Sequence, residues 1–159
     1  MATAAEALIA LLIPQIGREI HVGPWLTIEQ ERIDRFAAVT GDVQWIHTDP
    51  SRARQESPYG TTVAHGYLTL SLLPFLTESN HPDFFQLNYP GMRLRVNYGL
   101  NRVRFPAPVR VGARLRAHTV LRGVAPLGEA VEIIYCYTVA IEGEEKPACV
   151  AESVVRVYP

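Results

Sequence analysis

AHGYLTLSLLPFL, residues 64–76, predicts the central element of the fold. On a helix its apolar side chains point in nearly every direction, which is the pattern of a buried helix rather than a surface one. Pro74 is expected to kink or end this helix, because proline lacks the N–H group that a helix interior uses. A single buried helix needs a sheet to wrap it, so the rest of the chain has to supply strands.

The second half of the chain supplies those strands. Arg114–Thr119 alternates polar and apolar residues, as a half-buried strand does. Pro106 and Pro108 interrupt an otherwise strand-like run. Short turns between long strands favour an antiparallel meander, and a helix-rich half followed by a strand-rich half predicts an α+β fold. The predicted strands are 17–22, 94–105 with a bend near Gly99, one that starts at 109, 131–141 and 149–157, with a loop at 123–128 and a turn at 143–147.

A helix is predicted from about residue 28 to residue 40. Thr27 and Gln30 have the spacing of a capping box. Gly41 tolerates the positive φ of a helix C-terminus, and Asp49-Pro50 predicts the start of another helix, with Asp49 as its cap. The apolar stripe at helical spacing consists of Ile33, Phe36, Ala37 and Thr40.

The loop after that helix carries two titratable side chains in one short segment, TGDVQWIHTDP, residues 40–50. Asp42 and His47 could hold one water molecule between them, which is what the addition or removal of water requires. Asp42 could instead cap a turn, and His47 could be a satisfied core histidine. His47, Asp49 and His65 have side chains that bind metals, but their spacing is not diagnostic of a metal site, so none is expected.

The bulk properties predict one domain, residues 1–159, that is long enough to bury a core. A formal net charge of −1 gives no electrostatic case for binding nucleic acid or an anionic membrane. Met1–Ile13 is too short and wrongly flanked for a membrane span or a secretory signal, so a short amphipathic helix in a cytoplasmic protein is expected. Cys136 and Cys149 lack metal-site spacing and are expected to be buried, reduced thiols.

Arginines cluster in the strand-rich half with no acidic residue among them. They could recognise the phosphate groups of a ligand, for which the guanidinium group is well suited. The alternative is a solvated strand face, and no single arginine is assigned as a ligand. The residues are Arg93, Arg95, Arg102, Arg104, Arg110, Arg114, Arg116 and Arg122.

Two motifs, Thr40–Pro50 and Ala64–Gly66, together resemble the MaoC-like, R-specific enoyl-CoA hydratase family, and its NodN-like branch in particular. Gln44-Trp45 stands where Asn-Pro is common in that wider family, but the spacing from Asp42 to His47 is intact. The supporting stretches are Trp25–Thr27, Tyr67–Leu73 and Val96–Asn101.

The resemblance implies a hotdog fold, an antiparallel sheet wrapped around a long central helix, in a homodimer with sites near the subunit interface. It implies hydration of trans-2-enoyl-CoA to (R)-3-hydroxyacyl-CoA, or the reverse, on a coenzyme A or acyl carrier protein thioester. Asp42 and His47 would act on the water. The reaction requires no metal or redox cofactor.

Gly66 is expected at the start of the buried helix, where backbone N–H groups have no partner within the helix. Its N–H could stabilise the negative charge that develops on the thioester oxygen, the role that the resemblance favours. The alternative is that a glycine is needed there only for tight helix–sheet packing. His65 is expected to be structural and Ser71 to serve packing.

Two other functions stay open. A hotdog acyl-CoA thioesterase takes its catalytic carboxylate from the central helix, and Tyr67–Leu76 contains no Asp or Glu, which disfavours it. A non-catalytic subunit that binds acyl thioesters would have the same fold. Acyl chain length, the thioester carrier, the pathway and the acid and base roles of Asp42 and His47 cannot be assigned from the sequence.

Overall fold

A computed structural model describes residues 2–159 as a six-stranded antiparallel sheet with helices laid against it, which confirms the α+β class. The helices are α1 (Ala4–Leu12), α2 (Gln30–Thr40), α3 (Trp45–Thr48), α4 (Pro50–Glu56), α5 (Gly66–Ser71), α6 (Leu73–Leu76) and α7 (Phe84–Asn88), with a 3₁₀ turn at Ile13–Gln15. The strands are β1 (Glu19–Val22), β2 (Leu26–Thr27), β3 (Leu94–Arg104), β4 (Arg114–Leu127), β5 (Ala130–Ile141) and β6 (Cys149–Tyr158).

The core lies between one face of β4, β5 and β6 and the apolar sides of α1, α5 and α6. Alternate residues of these strands are buried, as the period of two along a strand requires. Leu8, Leu68 and Leu76 bring the helices into the same cluster. Each fully buried leucine stabilises the fold by about 1.5–3 kcal/mol.

The predicted central helix forms, with the interruption that was expected near Pro74. Residues 66–76 form two short helices, α5 and α6, separated at Leu72. Pro74 occupies the first turn of α6, where a missing N–H costs nothing, so a new helix begins just before it instead of α5 continuing. One side of α5 and α6 also faces solvent, since Tyr67 is 69% exposed and Phe75 is 43% exposed.

The predicted meander holds for β4, β5 and β6 but not for β3. The strand order is β1-β4-β5-β6-β3, with β2 also on β4, so β3 lies beside β6 rather than beside the strand that follows it in sequence. The connection 105–113 contains Pro106 and Pro108, which cannot extend a strand ladder, and it leaves the β3 edge and crosses to β4. The predicted bend is confirmed as a register shift between Asn97 and Gly99.

Three local predictions failed in whole or in part. Residues 123–127, predicted as loop, continue β4 after a register shift between Leu121 and Gly123, and only Gly128 with φ of +60° begins the turn. The capping box does not form, because Thr27 belongs to β2 and Glu29 precedes α2 without a side-chain cap bond. Along α2, Ile33 and Ala37 are buried, Phe36 is half-buried and Thr40 is exposed.

Several other local predictions are confirmed. The early strand forms as β1 and the N-terminal helix as α1. Gly41 ends α2 with φ of +80°. None of the helices formed by residues 2–159 has the length and apolar character needed to cross a membrane. Cys149 is fully buried, and burial raises the pKa of its thiol to about 11, whereas Cys136 is only half-buried.

Candidate active site

The loop between α2 and α3 brings Asp42 and His47 together. Gly41 turns the chain out of α2 in the left-handed conformation, and α3 begins at Trp45. One carboxylate oxygen of Asp42 and one ring nitrogen of each of His47 and His65 lie within 4.8 Å of one another. Asp42 is exposed, whereas both histidines are buried, so the cluster lies at the boundary between solvent and interior.

His47 is held in one tautomer. Its Nδ1–H donates to the carbonyl oxygen of Val63 at 2.6 Å, and because a carbonyl only accepts, Nε2 is left with a free lone pair. Burial lowers the pKa of His47; the bond to Val63 opposes that effect, the nearby His65 adds to it, and Asp42 opposes it. The imidazole is therefore neutral at neutral pH and can accept a proton.

His65 belongs to this site, although the sequence assigned it only a structural part. Its ring stacks on that of His47, with centroids 3.8 Å apart and planes at 26°. Its Nε2–H donates to the backbone oxygen of Asp42 at 2.9 Å, which fixes the loop that carries the carboxylate. The other nitrogen, Nδ1, is buried without a hydrogen-bond partner. His65 thus positions both members of the predicted pair.

Gln30 supports the same loop from α2. Its side-chain amide donates to the backbone oxygen of His47 at 2.7 Å and accepts a hydrogen bond from the Thr62 hydroxyl. The same amide also donates to the Asp34 carboxylate, one turn further along α2, at 2.9 Å. The buried Thr62 lies one residue before Val63, so α2 braces both sides of His47.

Gly66 opens α5 beside His47. The N–H of Gly66 donates to no acceptor among residues 2–159, as expected of the first residue of a helix. A Cβ atom at this position would lie 2.9 Å from the Phe105 ring, so only glycine fits without a shift. His47, Gly66, Thr69 and Phe105 line one cavity of about 320 Å³.

The structure therefore brings Asp42, His47 and Gly66 together, as predicted. The residues that support them, Gln30 and Val63, were not predicted. His47 and Gly66 share a cavity, and Asp42 approaches the histidine ring from the exposed loop. The Val63 carbonyl leaves no signal in a sequence, because any residue supplies one. Asp49 is apart from this cluster: its side chain accepts the N–H of Arg52 at 2.9 Å and caps α4, as predicted.

Asp42, His47 and His65 also have the donor types that transition metals take, so this cluster is the part of the described chain, residues 2–159, that could hold an ion. The free donors are His47 Nε2 and His65 Nδ1, since the other ring nitrogens bond carbonyl oxygens. The same arrangement suits a water molecule, which needs two to four polar partners.

The arginine cluster is mostly a solvated strand face. Arg114 donates to Glu142 at 2.8 Å and Arg110 pairs with Glu144 at 3.6 Å. The guanidinium group of Arg116 lies 4.5 Å from the ring centroid of Trp25. Those with exposed side chains and no acidic partner are Arg93, Arg102, Arg104 and Arg122. Arg95 differs from all of these in facing the interior of the sheet.

Ser71 is exposed rather than packed. Its hydroxyl donates to the backbone oxygen of Tyr67, one turn earlier in α5, at 2.7 Å. No titratable side chain is bonded to it within residues 2–159, so nothing in its surroundings activates it as a nucleophile.

Sequence relatives agree with these observations. The MaoC-like domain matches residues 13–140. 3-Hydroxyacyl-thioester dehydratase Z of Mycobacterium tuberculosis is 49% identical over 149 residues, which cover 93% of this chain and 94% of that protein. Nodulation protein N of Rhizobium leguminosarum bv. viciae is 43% identical over 142 residues, 86% of this chain and 83% of that protein.

Solved structures confirm the hotdog fold predicted from the sequence. The (R)-hydratase from A. caviae involved in PHA biosynthesis matches with a TM-score of 0.65 at 22% identity, over 88% of this chain and 98% of its own. The HadBC complex, a 3R-hydroxyacyl-ACP dehydratase from Mycobacterium tuberculosis, matches with a TM-score of 0.68 at 17% identity, over 86% and 94%. At 22% and 17% identity, these structural similarities establish the fold only. With the domain match over 13–140 and a relative 49% identical across nearly its whole length, the chain belongs to the MaoC-like dehydratase family.

Proposed function

We propose that the protein catalyses the reversible hydration of trans-2-enoyl thioesters to (R)-3-hydroxyacyl thioesters. The observation that carries the proposal is the free Nε2 of the neutral His47, close to the Asp42 carboxylate and on the same cavity as the unpaired Gly66 N–H. A base beside a carboxylate can bind a water molecule, and an unpaired N–H can bind an oxyanion. The name of the dehydratase relative agrees with this chemistry.

In the hydration direction, water bound between Asp42 and His47 adds its oxygen to the β-carbon. The proton that this water loses passes to the pair, and the pair returns a proton to the α-carbon on the same face. One C–O bond and one C–H bond form while the double bond is consumed. Burial lowers the pKa of His47, so the imidazole is neutral at neutral pH and can accept the first proton. None of these steps requires a metal ion or a redox cofactor.

Gly66 is proposed to stabilise the enolate. As the nucleophile adds, negative charge moves onto the thioester oxygen, and the unpaired N–H of Gly66 can donate to it. Donors of this kind typically contribute about 10²–10³-fold to the rate. Lack of a side chain lets the thioester approach the backbone closely.

The acyl chain is proposed to follow the central helices. Thr69 lines the catalytic cavity, and the next residue, Leu70, lines a neighbouring cavity of about 300 Å³. That neighbouring space, called here the acyl cavity, runs between α5–α6 and β3, with walls from Leu70, Leu73, Pro74, Asn97 and Leu100. Its apolar side chains suit an alkyl chain.

We infer that the working unit is a homodimer joined at β3. This strand has one neighbour, β6, and its free edge carries exposed apolar side chains. A free edge is a template for pairing with another strand. The exposed apolar residues on this strand are Leu94, Val96, Tyr98 and Leu100, and Tyr67 is exposed on α5.

The catalytic pair is tested with Asp42→Asn and His47→Ala. Each variant is expected to abolish hydration of a short enoyl-CoA, followed as loss of the conjugated double bond, because each removes a group that handles the water proton. Circular dichroism and sedimentation should show the fold and the assembly unchanged. Full activity in either variant would refute the pair.

The same assay separates the rival functions. Release of free thiol from saturated acyl-CoA would show a thioesterase. Saturable binding of acyl-CoA without turnover of any enoyl substrate would show a non-catalytic binding subunit. A panel of enoyl thioesters on coenzyme A and on acyl carrier protein then defines chain length and carrier.

A further inference from the structure

A second cavity adjoins the acyl cavity at its far end. It measures about 370 Å³ and is lined by residues of β1, α7, β3, β4 and β5. The two cavities have four wall residues in common, Thr77, Ser79, Arg95 and Tyr137, so they meet at this point. The helical rise places Thr77 at most roughly 16 Å beyond Gly66, which is within reach of an acyl chain.

Arg95 places a positive charge at the junction of the two cavities. Arg95, Asn97 and Gly99 alternate along β3 and face the acyl cavity, so this arginine points inward from an edge strand. Its Nε–H is buried without a hydrogen-bond partner, and Arg95 forms no ion pair with any residue in 2–159. Arg95 is half-buried, and a buried N–H without an acceptor is costly unless a ligand supplies one.

The only acid among the described lining residues is already engaged. Glu78 accepts a hydrogen bond from Nε2 of His21 at 3.0 Å, and both residues line the second cavity. Its backbone has φ of +56°, a conformation that costs free energy in a residue other than glycine and that holds residues 77–79 between the cavities. The protein therefore leaves Arg95 without an internal counter-ion.

Further polar groups line the cavity around Arg95. Thr119 is 5% exposed, yet its Oγ1 has no hydrogen-bond partner, and it lines the second cavity. Tyr137 lies in the shared wall, where burial raises its pKa to about 12; the charge of Arg95 and a hydrogen bond from Arg95 to the Tyr137 hydroxyl oppose that rise. Tyr89 and Tyr135 bond each other through their hydroxyls at 2.9 Å in the same wall. A methyl-terminated chain would leave Thr119 Oγ1 and Arg95 Nε–H without a partner.

We propose that the acyl group of the substrate ends in a carboxylate, and that Arg95 is the specificity-determining residue that receives it. This inference rests on the proposed function, since it places the thioester at Gly66 and the carboxylate at the junction. A carboxylate can accept two parallel N–H bonds from one guanidinium group, and Arg95 lines both cavities where they meet.

The test measures the binding of saturated acyl-CoA thioesters, which cannot be hydrated, by titration calorimetry. Thioesters of increasing chain length are compared in two forms, one with a terminal methyl group and one with a terminal carboxylate. At the matching length the carboxylate form should bind the wild-type protein roughly tenfold more tightly, the size expected for a hydrogen bond to a charged group. Arg95→Gln should abolish that preference.

Arg102→Gln is the matched control, because it removes the same charge from an exposed position on the same strand and should keep the preference. No preference in the wild-type protein at any length would overturn the proposal even if Arg95→Gln did not fold. An Arg95→Gln variant that aggregates but keeps the preference would also overturn it, and would assign Arg95 to the protection of an edge strand. Failure of the proposed function is a separate result, seen as no hydration of either enoyl form.

Discussion

The role proposed for His47 depends on one backbone carbonyl. The bond from Nδ1 to Val63 leaves Nε2 as the basic nitrogen, and His65 and Gln30 fix the ring and the loop around it. Second-layer contacts of this kind decide whether a titratable side chain is a base or an inert core residue. The same residue type in a loose loop would titrate near its ordinary pKa and point in several directions.

The pH dependence of the reaction follows from His47. Hydration requires the neutral imidazole, so kcat/KM should be constant through neutral pH and should fall as the pH drops through the pKa of His47. Because burial lowers that pKa, the midpoint should lie below the ordinary value of 6.5. A pH–rate profile measures it, with circular dichroism as the control for folding. A midpoint above 6.5 would contradict this account of the base.

Gly66 offers a second test at the scale of one residue. In Gly66→Ala the new methyl group meets the Phe105 ring and projects toward the bound thioester. Overpacking should cost about 1–3 kcal/mol of stability, and misplacement of the thioester should lower kcat roughly tenfold to a hundredfold. Urea unfolding and enoyl-CoA hydration measure the two effects.

The matched comparison adds Phe105→Leu, alone and combined with Gly66→Ala. The smaller side chain should restore stability to the double variant while activity stays low, because the methyl group still blocks the close approach of substrate. Recovery of both together would mean that glycine serves only packing at this position.

The helix α4 distinguishes a capping aspartate, Asp49, from Asp42, which is proposed to be catalytic. Asp49 caps α4 by accepting the N–H of Arg52. Asp49→Ala should therefore lower the free energy of unfolding by about 0.5–2 kcal/mol, with little change in hydration activity in conditions where the protein is folded. Asp49→Asn is the control, because asparagine caps equally well. A loss of activity in Asp49→Asn would place this residue in the site.

Elements that depend on local pattern were predictable, and those that depend on distant partners were not. The end of α2 at Gly41 and the start of α4 at Asp49 follow from the residues themselves. The place of β3 beside β6 depends on which edge of the sheet remains free once β4, β5 and β6 have paired. The order of the strands in the sequence therefore gave the wrong neighbour for β3. The capping box failed because Thr27 pairs with Arg114 of β4, a distant partner in the chain, and Glu29 takes the position before α2. For the same reason the pair Asp42 and His47 was predictable, whereas the part played by His65 was not.

At the scale of the whole molecule, the free edge of β3 predicts assembly. Wild-type protein should sediment as a dimer, and Val96→Lys should shift it toward monomer, because an edge lysine opposes strand pairing. Val39→Lys is the matched control: Val39 is 86% exposed on α2, away from the sheet edge, and its replacement should leave the dimer intact. Monomeric wild-type protein, or a dimer unaffected by Val96→Lys, would rule out this interface.

The two cysteines allow opening of the sheet to be measured by thiol labelling. Cys149 is fully buried and its pKa is raised to about 11, so both access and thiolate formation are suppressed while the sheet is closed. Cys136 lies on the other face of β5 and is half-buried, so it supplies an internal reference for the alkylating reagent. Labelling of Cys149 relative to Cys136 therefore follows the rate at which β6 separates from the core, without any added probe.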